Sequence, residues 1–199
     1  MTINLQKGQR ISLVKEAPGL TRVLCGLGWD VAPGSGGFLG LFGSTHDYDL
    51  DASVICLDSH QKLRDKSDVI YFGNLRHSSG SISHLGDNLT GEGNGDDEQI
   101  IVELPQISPN IETLVFVVNI YKCHQRKQDF GQVKNAFVRL LNMANNQEIA
   151  RYNLSGAAYS GMTGMILAEL YRENKGWDMK AIGEGVSVNG LEEILRSYR

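Results

Sequence analysis

Residues 86–98 read GDNLTGEGNGDDE: five acids, two asparagines and four glycines, with no lysine or arginine among them. Carboxylate and amide oxygens are what hard divalent cations bind. Ca2+ gathers about six to eight of them, whereas Mg2+ keeps more of its water. Glycine lets the backbone turn so that carbonyl oxygens can join the set. The chemistry this stretch suggests is an oxygen-lined cation site. The ordinary explanation of an acidic run is a solvated turn. Two features favour the cation. The run leads straight into the β-forming stretch QIIVEL at 99–104, which would anchor Glu98 at a sheet edge. A second acidic set, Asp47, Asp49 and Asp51, also lies where no base is near in sequence.

Other chemistries fit less well. Gly86 and Gly91 have the spacing of a phosphate-binding loop, but Glu92 stands in the lysine's place and would repel phosphate. The dinucleotide-binding glycine pattern, the GxSxG nucleophile turn and the HExxH zinc motif are absent. His46, His60, His77, His84 and His124 show no ligand spacing, and most lie in polar stretches where exposure is expected. Without paired Cys or His, zinc is disfavoured. Asp87 and Glu98 fall at the first and last positions of an EF-hand loop. Leu89 and Gly91, however, occupy ligand positions and Glu92 replaces the turn glycine, so this is not an EF-hand.

Charge is segregated along the chain. Between Arg22 and Lys62 there are five aspartates (Asp30, Asp47, Asp49, Asp51 and Asp58) and no base; between Arg76 and Lys122 there are seven acids and no base. The net charge of −4 argues against a nucleic-acid partner bound through its phosphates. With 199 residues, 41 % of them hydrophobic, the chain is expected to form a single domain over 1–199. Its three cysteines, Cys25, Cys56 and Cys123, are far apart, which fits buried free thiols in a reducing compartment. The opening MTINLQKGQRISL lacks the apolar core of a secretory signal, and no run approaches the roughly 18 apolar residues of a spanning helix. A cytoplasmic location is expected.

The elements that must position these acids are mostly strands. Alternating or continuous runs of β-branched and aromatic residues predict strands at 23–29, 49–57, 68–73, 99–104, 113–121, 136–142, 147–154, 164–172 and 177–183. Short segments near 3–5 and 10–14 are expected to pair as a hairpin. LVFVVNI at 114–120 reads as a central strand buried on both faces. In DLDAS, period two puts Asp49 and Asp51 on one face, roughly 6.6 Å apart. Helical signals are confined to a C-terminal segment, NGLEEILRSYR, with Asn189 as its cap, and a turn at DFGQV. The predicted class is an all-β, two-sheet sandwich with few short helices.

These motifs together resemble the TerD family of tellurite-resistance and stress-response proteins. The resemblance runs along essentially the whole chain: INLQKGQRISL, GLGWD at 26–30, DLDAS at 49–53, the acidic loop continued to Ile100, FVVNIY at 116–121, FGQVKNAFVRLLN at 130–142, EIARYNL at 148–154 and ELYRENKGWDMKAIGEG at 169–185. The acidic loop is its most specific part. It implies a β-sandwich holding two Ca2+ ions in the bacterial cytoplasm, with no enzymatic reaction established for the family. The ligands it implies are Asp30, Asp49, Asp51, Asn74, Asp87, Asp96, Asp97 and Glu98, with Asn88 and Gly93 as carbonyl donors.

Two departures stand out. A Gly-rich insertion at about 32–46 carries Phe38, Leu39, Leu41 and Phe42, which are expected to meet a protein partner, a second copy, the body of the domain or a membrane surface. Gly73 replaces an asparagine common in the family, which removes one potential ligand. The favoured reading is a Ca2+-ordered interaction or scaffold module. A metal-dependent hydrolase acting on a phosphate or other anion, hinted at by His84, and a Ca2+-dependent membrane-docking module through residues 38–42 are the alternatives.

Overall fold

A computed structural model describes residues 2–31, 48–86, 95–154, 157–174 and 176–199. Its strands are β1 (Ile3–Asn4), β2 (Arg10–Ser12), β3 (Arg22–Val31), β4 (Leu50–Leu57), β5 (Val69–Ile70), β6 (Ile82–His84), β7 (Glu98–Glu103), β8 (Thr113–Ile120), β9 (Val133–Asn142), β10 (Gln147–Asn153), β11 (Gly164–Glu173) and β12 (Gly176–Val186). Three short helices accompany them: α1 (Leu13–Glu16), α2 (Cys123–Arg126) and α3 (Leu191–Arg196). Two six-stranded sheets form, ordered β1-β10-β9-β3-β7-β6 and β2-β12-β11-β8-β4-β5. The β1–β10 pair is parallel and the pairs that build the rest of the sheets are antiparallel. This is the expected all-β sandwich.

Period-two alternation builds the core. Val23, Cys25, Leu27 and Trp29 of β3 and Ile100 and Val102 of β7 face Leu50, Ala52, Val54 and Cys56 of β4 and Leu114, Phe116 and Val118 of β8 across the interface. The apolar run of β8 is buried on both faces, as its sequence predicts. Its outward Val115 and Val117, with Ile55 and Leu57 of β4, are covered by Ile194 and Leu195 of α3. All three cysteines are free and buried, and burial pushes the Cys25 and Cys56 thiols far above their usual pKa. No helix among the described residues is long and apolar enough to cross a membrane.

Several boundaries depart from the sequence reading. The N-terminal segments do not form a hairpin: β1 joins one sheet beside β10, and β2 joins the other beside β12. The chain crosses between sheets at Gly8, whose φ of +80° favours glycine and whose N–H donates to Ala181 O at 2.7 Å. The strand expected at 68–73 stops at Ile70, because Tyr71 and Asn74 close a tight turn through paired backbone bonds of 3.2 and 2.9 Å. Strand β6 was not foreseen, being three residues in a serine-rich stretch. At α3 the N-cap is Gly190 and not Asn189; the Asn189 N–H and Nδ2 instead donate to the Glu193 carboxylate. The turn at DFGQV forms, with Asp129 accepting from Gly131 N–H at 2.7 Å.

Candidate metal site at the acidic end of the sandwich

Strand register brings the acidic segments to one end. Antiparallel β3 and β7 pair Leu27 with Glu98, so the end of β3, which carries Asp30, lies beside the start of β7. Residues opposite one another share a face, so Glu98 points inward with Leu27. Its side chain crosses to the other sheet, where Oε2 accepts from the Ala52 N–H of β4, and the residue is 1 % exposed. One carboxylate thus clasps both sheets at the point where β4 begins. Asp97, next to it, accepts from Trp29 N–H at 2.9 Å and donates its own N–H to Leu27 O at 2.8 Å. A register irregularity between Gly28 and Asp30 turns the end of β3.

His84 lies against this clasp. It is buried, contrary to the exposure expected from its polar surroundings, and its Nε2 lies 3.7 Å from Glu98 Oε2. Nδ1 accepts from Gly86 N–H at 3.2 Å, which leaves Nε2 as the protonated nitrogen facing the carboxylate. His84 thus faces the Glu98 carboxylate from beyond hydrogen-bond distance. His77 is likewise buried: Nε2 meets Asp68 Oδ1 at 3.1 Å, and Nδ1 meets Ser79 Oγ at 2.7 Å and receives Ser79 N–H. That second bond from its own turn marks His77 as a lock on the 68–81 segment. His60 and His124 are exposed as expected.

The acids missing counter-charges in sequence receive them in space. Arg139 Nε and Nη2 donate to Asp96 at 2.7 and 3.0 Å, and Arg126 Nη1 donates to Asp49 Oδ2 at 3.5 Å. Arg22 meets Glu103 at 2.7 Å. The crowding of unpaired charge inferred from the base-free windows is thus relieved at Asp49 and Asp96 by arginines from β9 and α2. Asp51, on the outer face of β4 as period two predicts, accepts from Asn119 Nδ2 at 3.2 Å. Asn74 donates its Nδ2 to Val69 O at 2.8 Å, holding the turn after β5. Asp30 pairs with Lys134 in the β3–β9 register. Asp87, Asn88 and Gly93 lie outside the described residues, as do Phe38, Leu39, Leu41 and Phe42. Among the described residues no three His, Cys, Asp or Glu side chains gather closely enough to hold a metal alone.

Arg139 also reaches Glu148, which pairs with Arg151 at 3.0 Å. Hydrogen bonds from Arg151, then Arg139, hold the Glu148 carboxyl below its usual pKa. A depressed folded-state value contributes stability that is complete above the unfolded value, about 4.3, and is lost as pH falls through the folded one. Glu148→Gln is expected to cost about 1 kcal/mol at neutral pH. The gap from wild type should close in thermal melts run down to about pH 3; a gap that stays open there would show that the pair is not its source.

Residues that sequence reasoning missed are Trp29, Arg139 and the Ala52 N–H, and His84 was singled out only as a hint of hydrolase chemistry. Trp29 stands inside GLGWD and could have been found as the inward neighbour of Asp30. Arg139 sits in a plainly alternating strand, but nothing local says that β9 lies beside β3.

Comparison with known proteins agrees with this geometry. The family model described as the TerD domain matches residues 1–198. The chain is 48 % identical over 200 residues to stress response protein SCP2 of Bacillus subtilis (strain 168), covering 100 % of both. It is 43 % identical to tellurium resistance protein TerD of Serratia marcescens, covering 100 % of this chain and 97 % of the relative. A crystal structure of a homologue of telluride resistance protein (TerD) from Streptomyces coelicolor A3(2) shares the fold, with a TM-score of 0.67 at 23 % identity over 85 % of this chain and 92 % of that one. From Thr2 to Arg199 the strand order, the acidic end and these likenesses lead to one assignment: the chain belongs to the TerD family of tellurium-resistance and stress-response proteins.

Proposed function

We propose that this protein binds Ca2+ at the acidic end of its sandwich, and that the cation orders this end as an interaction or scaffold surface in the stress response of its family. The observation that carries the reading is Glu98, a carboxylate buried at the junction of two sheets beside a run of further acids. A charged carboxylate is costly to bury unless a cation or several donors meet it. Asp97 and Glu98 fit the role of rigid oxygen ligands because strand register and backbone N–H groups fix them. Asp49 and Asp96 fit less well, each already holding an arginine. Asp30 and the 87–94 segment, with Asp87, Asn88 and Gly93, are the natural source of the remaining oxygens. Asp51 and Asn74 stand further down the order, both engaged with neighbouring amide or carbonyl groups. Bound Ca2+ would supply charge neutralisation and no redox or acid–base chemistry.

Calorimetric titration of chelator-treated protein is expected to give micromolar Ca2+ binding, lost when Asp97→Asn and Glu98→Gln are combined. Trp29, buried and bonded to Asp97 through its backbone N–H, should report the same event by fluorescence. Trp177 lies at the far end of the second sheet, where β12 pairs Trp177 with Arg172, so Trp177→Phe isolates the Trp29 signal. Absence of heat at tens of micromolar Ca2+ would sink the reading.

A further inference from the structure

The outer face of the second sheet carries a cavity of about 520 Å3 between β4, β8 and the start of α3. Asp51, Ser53 and Asn119, all buried, form its floor. Ser53 is 1 % exposed and its Oγ has no hydrogen-bond partner among the described residues; Asn119 is 4 % exposed and its Oδ1 has none either. Donation from Asn119 Nδ2 to Asp51 fixes the amide, so the oxygen is the atom left over. Two buried polar atoms lining one cavity ask for a donor that the described residues do not supply. The Asp51 carboxylate beside them sets the preferred charge of that donor as positive.

The walls differ from the floor. Tyr71 and the half-exposed Phe72 meet edge to face at 5.3 Å on one side, and the half-exposed Tyr121 lines another. Exposed Lys122 and Arg196 stand at the mouth, with Lys122 Nζ 5.0 Å from the Tyr121 ring centre. The two acids there are engaged: Glu193 by Asn189 and Glu192 by Arg199. The cavity thus runs from acceptors at its floor, past aromatic rings, to cations at its mouth.

We propose that this cavity binds a small zwitterion whose two charges lie at opposite ends of an apolar body, its ammonium on Asn119 Oδ1 and Ser53 Oγ, the body between the rings and its carboxylate at Lys122 and Arg196. The ammonium satisfies both orphaned atoms and faces a carboxylate, and the aromatic faces favour it further. A neutral alcohol would satisfy the floor but leave the mouth without a partner. The assignment stands on Ser53 and Asn119 and does not depend on Ca2+.

The test is calorimetric titration of the full-length protein in chelator with 4-(aminomethyl)benzoate, and with its two halves, benzylamine and benzoate. The zwitterion is expected to bind at least tenfold more tightly than either half. Ser53→Ala should weaken the zwitterion and benzylamine about fivefold without lowering the melting temperature, since the hydroxyl bonds nothing described in the fold. Arg196→Gln should weaken the zwitterion and benzoate and leave benzylamine unchanged. No heat from any probe at millimolar concentration would make the cavity a water site and overturn the proposal. So would equal affinity for all three, or unchanged binding by Ser53→Ala. If Ser53→Ala instead lowers Ca2+ affinity, the floor belongs to the cation and the zwitterion site falls while the calcium reading stands.

Discussion

Glu98→Gln is expected to leave the calcium-free protein as stable as wild type or more so, while removing most of the stabilisation that Ca2+ gives. The two halves of this result have separate causes. Glutamine keeps the shape and an oxygen that can accept from Ala52 N–H, so the clasp between sheets survives. What disappears is a negative charge in a residue 1 % exposed, where desolvation opposes a carboxylate more than a neutral amide. With Ca2+ present the sign reverses. A ligand that binds only the folded state at about a hundred times its Kd adds roughly 2.7 kcal/mol, which for a chain of this size raises Tm by about 5–10 °C. Wild type should show that rise and the Gln variant little of it. Glu98→Ala provides the contrast: it strips the acceptor from Ala52 N–H and opens a void, so it should destabilise by about 2–4 kcal/mol with or without Ca2+. A Gln variant that melts far below wild type in chelator, yet keeps the full Ca2+ shift, would make Glu98 a structural clasp alone.

How far the sequence could be read depended on whether a feature is local. Strand β8 was legible because seven consecutive apolar-biased residues admit only a doubly covered strand, and Val115 and Val117 do meet α3. The face of Asp49, Asp51 and Ser53 was legible from period two, and Asp51 and Ser53 do share the cavity floor. Partner identity was not legible. Asp96 and Arg139 are 43 residues apart, and their bidentate contact exists because β9 pairs with β3, a choice no local propensity encodes. The base-free windows therefore described the chain and not the surface: three of their acids, Asp49, Asp96 and Glu103, take arginines from outside them. Polar neighbours misled the reading of His77 and His84 for a related reason. Each is buried by a carboxylate that accepts or faces its ring, Asp68 for one and Glu98 for the other. The N-terminal hairpin failed because two segments five residues apart found better partners in opposite sheets.

Gly28→Ala is expected to destabilise by about 3 kcal/mol and to weaken Ca2+ binding as well, whereas Gly26→Ala should cost about 1–2 kcal/mol. Both glycines of GLGWD face outward from β3, since Leu27 and Trp29 face the core. They are glycines because that outer face is overlaid. A Cβ on Gly26 would lie 2.2 Å from the Asp96 carboxylate, the far end of a side chain that can swing aside at the expense of its pair with Arg139. A Cβ on Gly28 would lie 2.5 Å from Phe137 Cζ and 2.6 Å from the Gly95 carbonyl oxygen. Phe137 is the cross-strand partner of Gly28, and its ring is itself pinned beneath Arg151 at 3.9 Å. The carbonyl is the harder obstacle, because moving it moves the segment that delivers Asp97 and Glu98 to the acidic end. Urea unfolding of both variants, paired with Ca2+ titration, separates the effects: Gly26→Ala should lose stability with little change in Ca2+ affinity, and Gly28→Ala should lose both. Adding Phe137→Leu to Gly28→Ala relieves only the ring contact, so partial recovery of stability with Ca2+ affinity still weakened is the expected outcome. Full recovery of both would place the obstacle in the ring and detach the GLGWD glycines from the metal site.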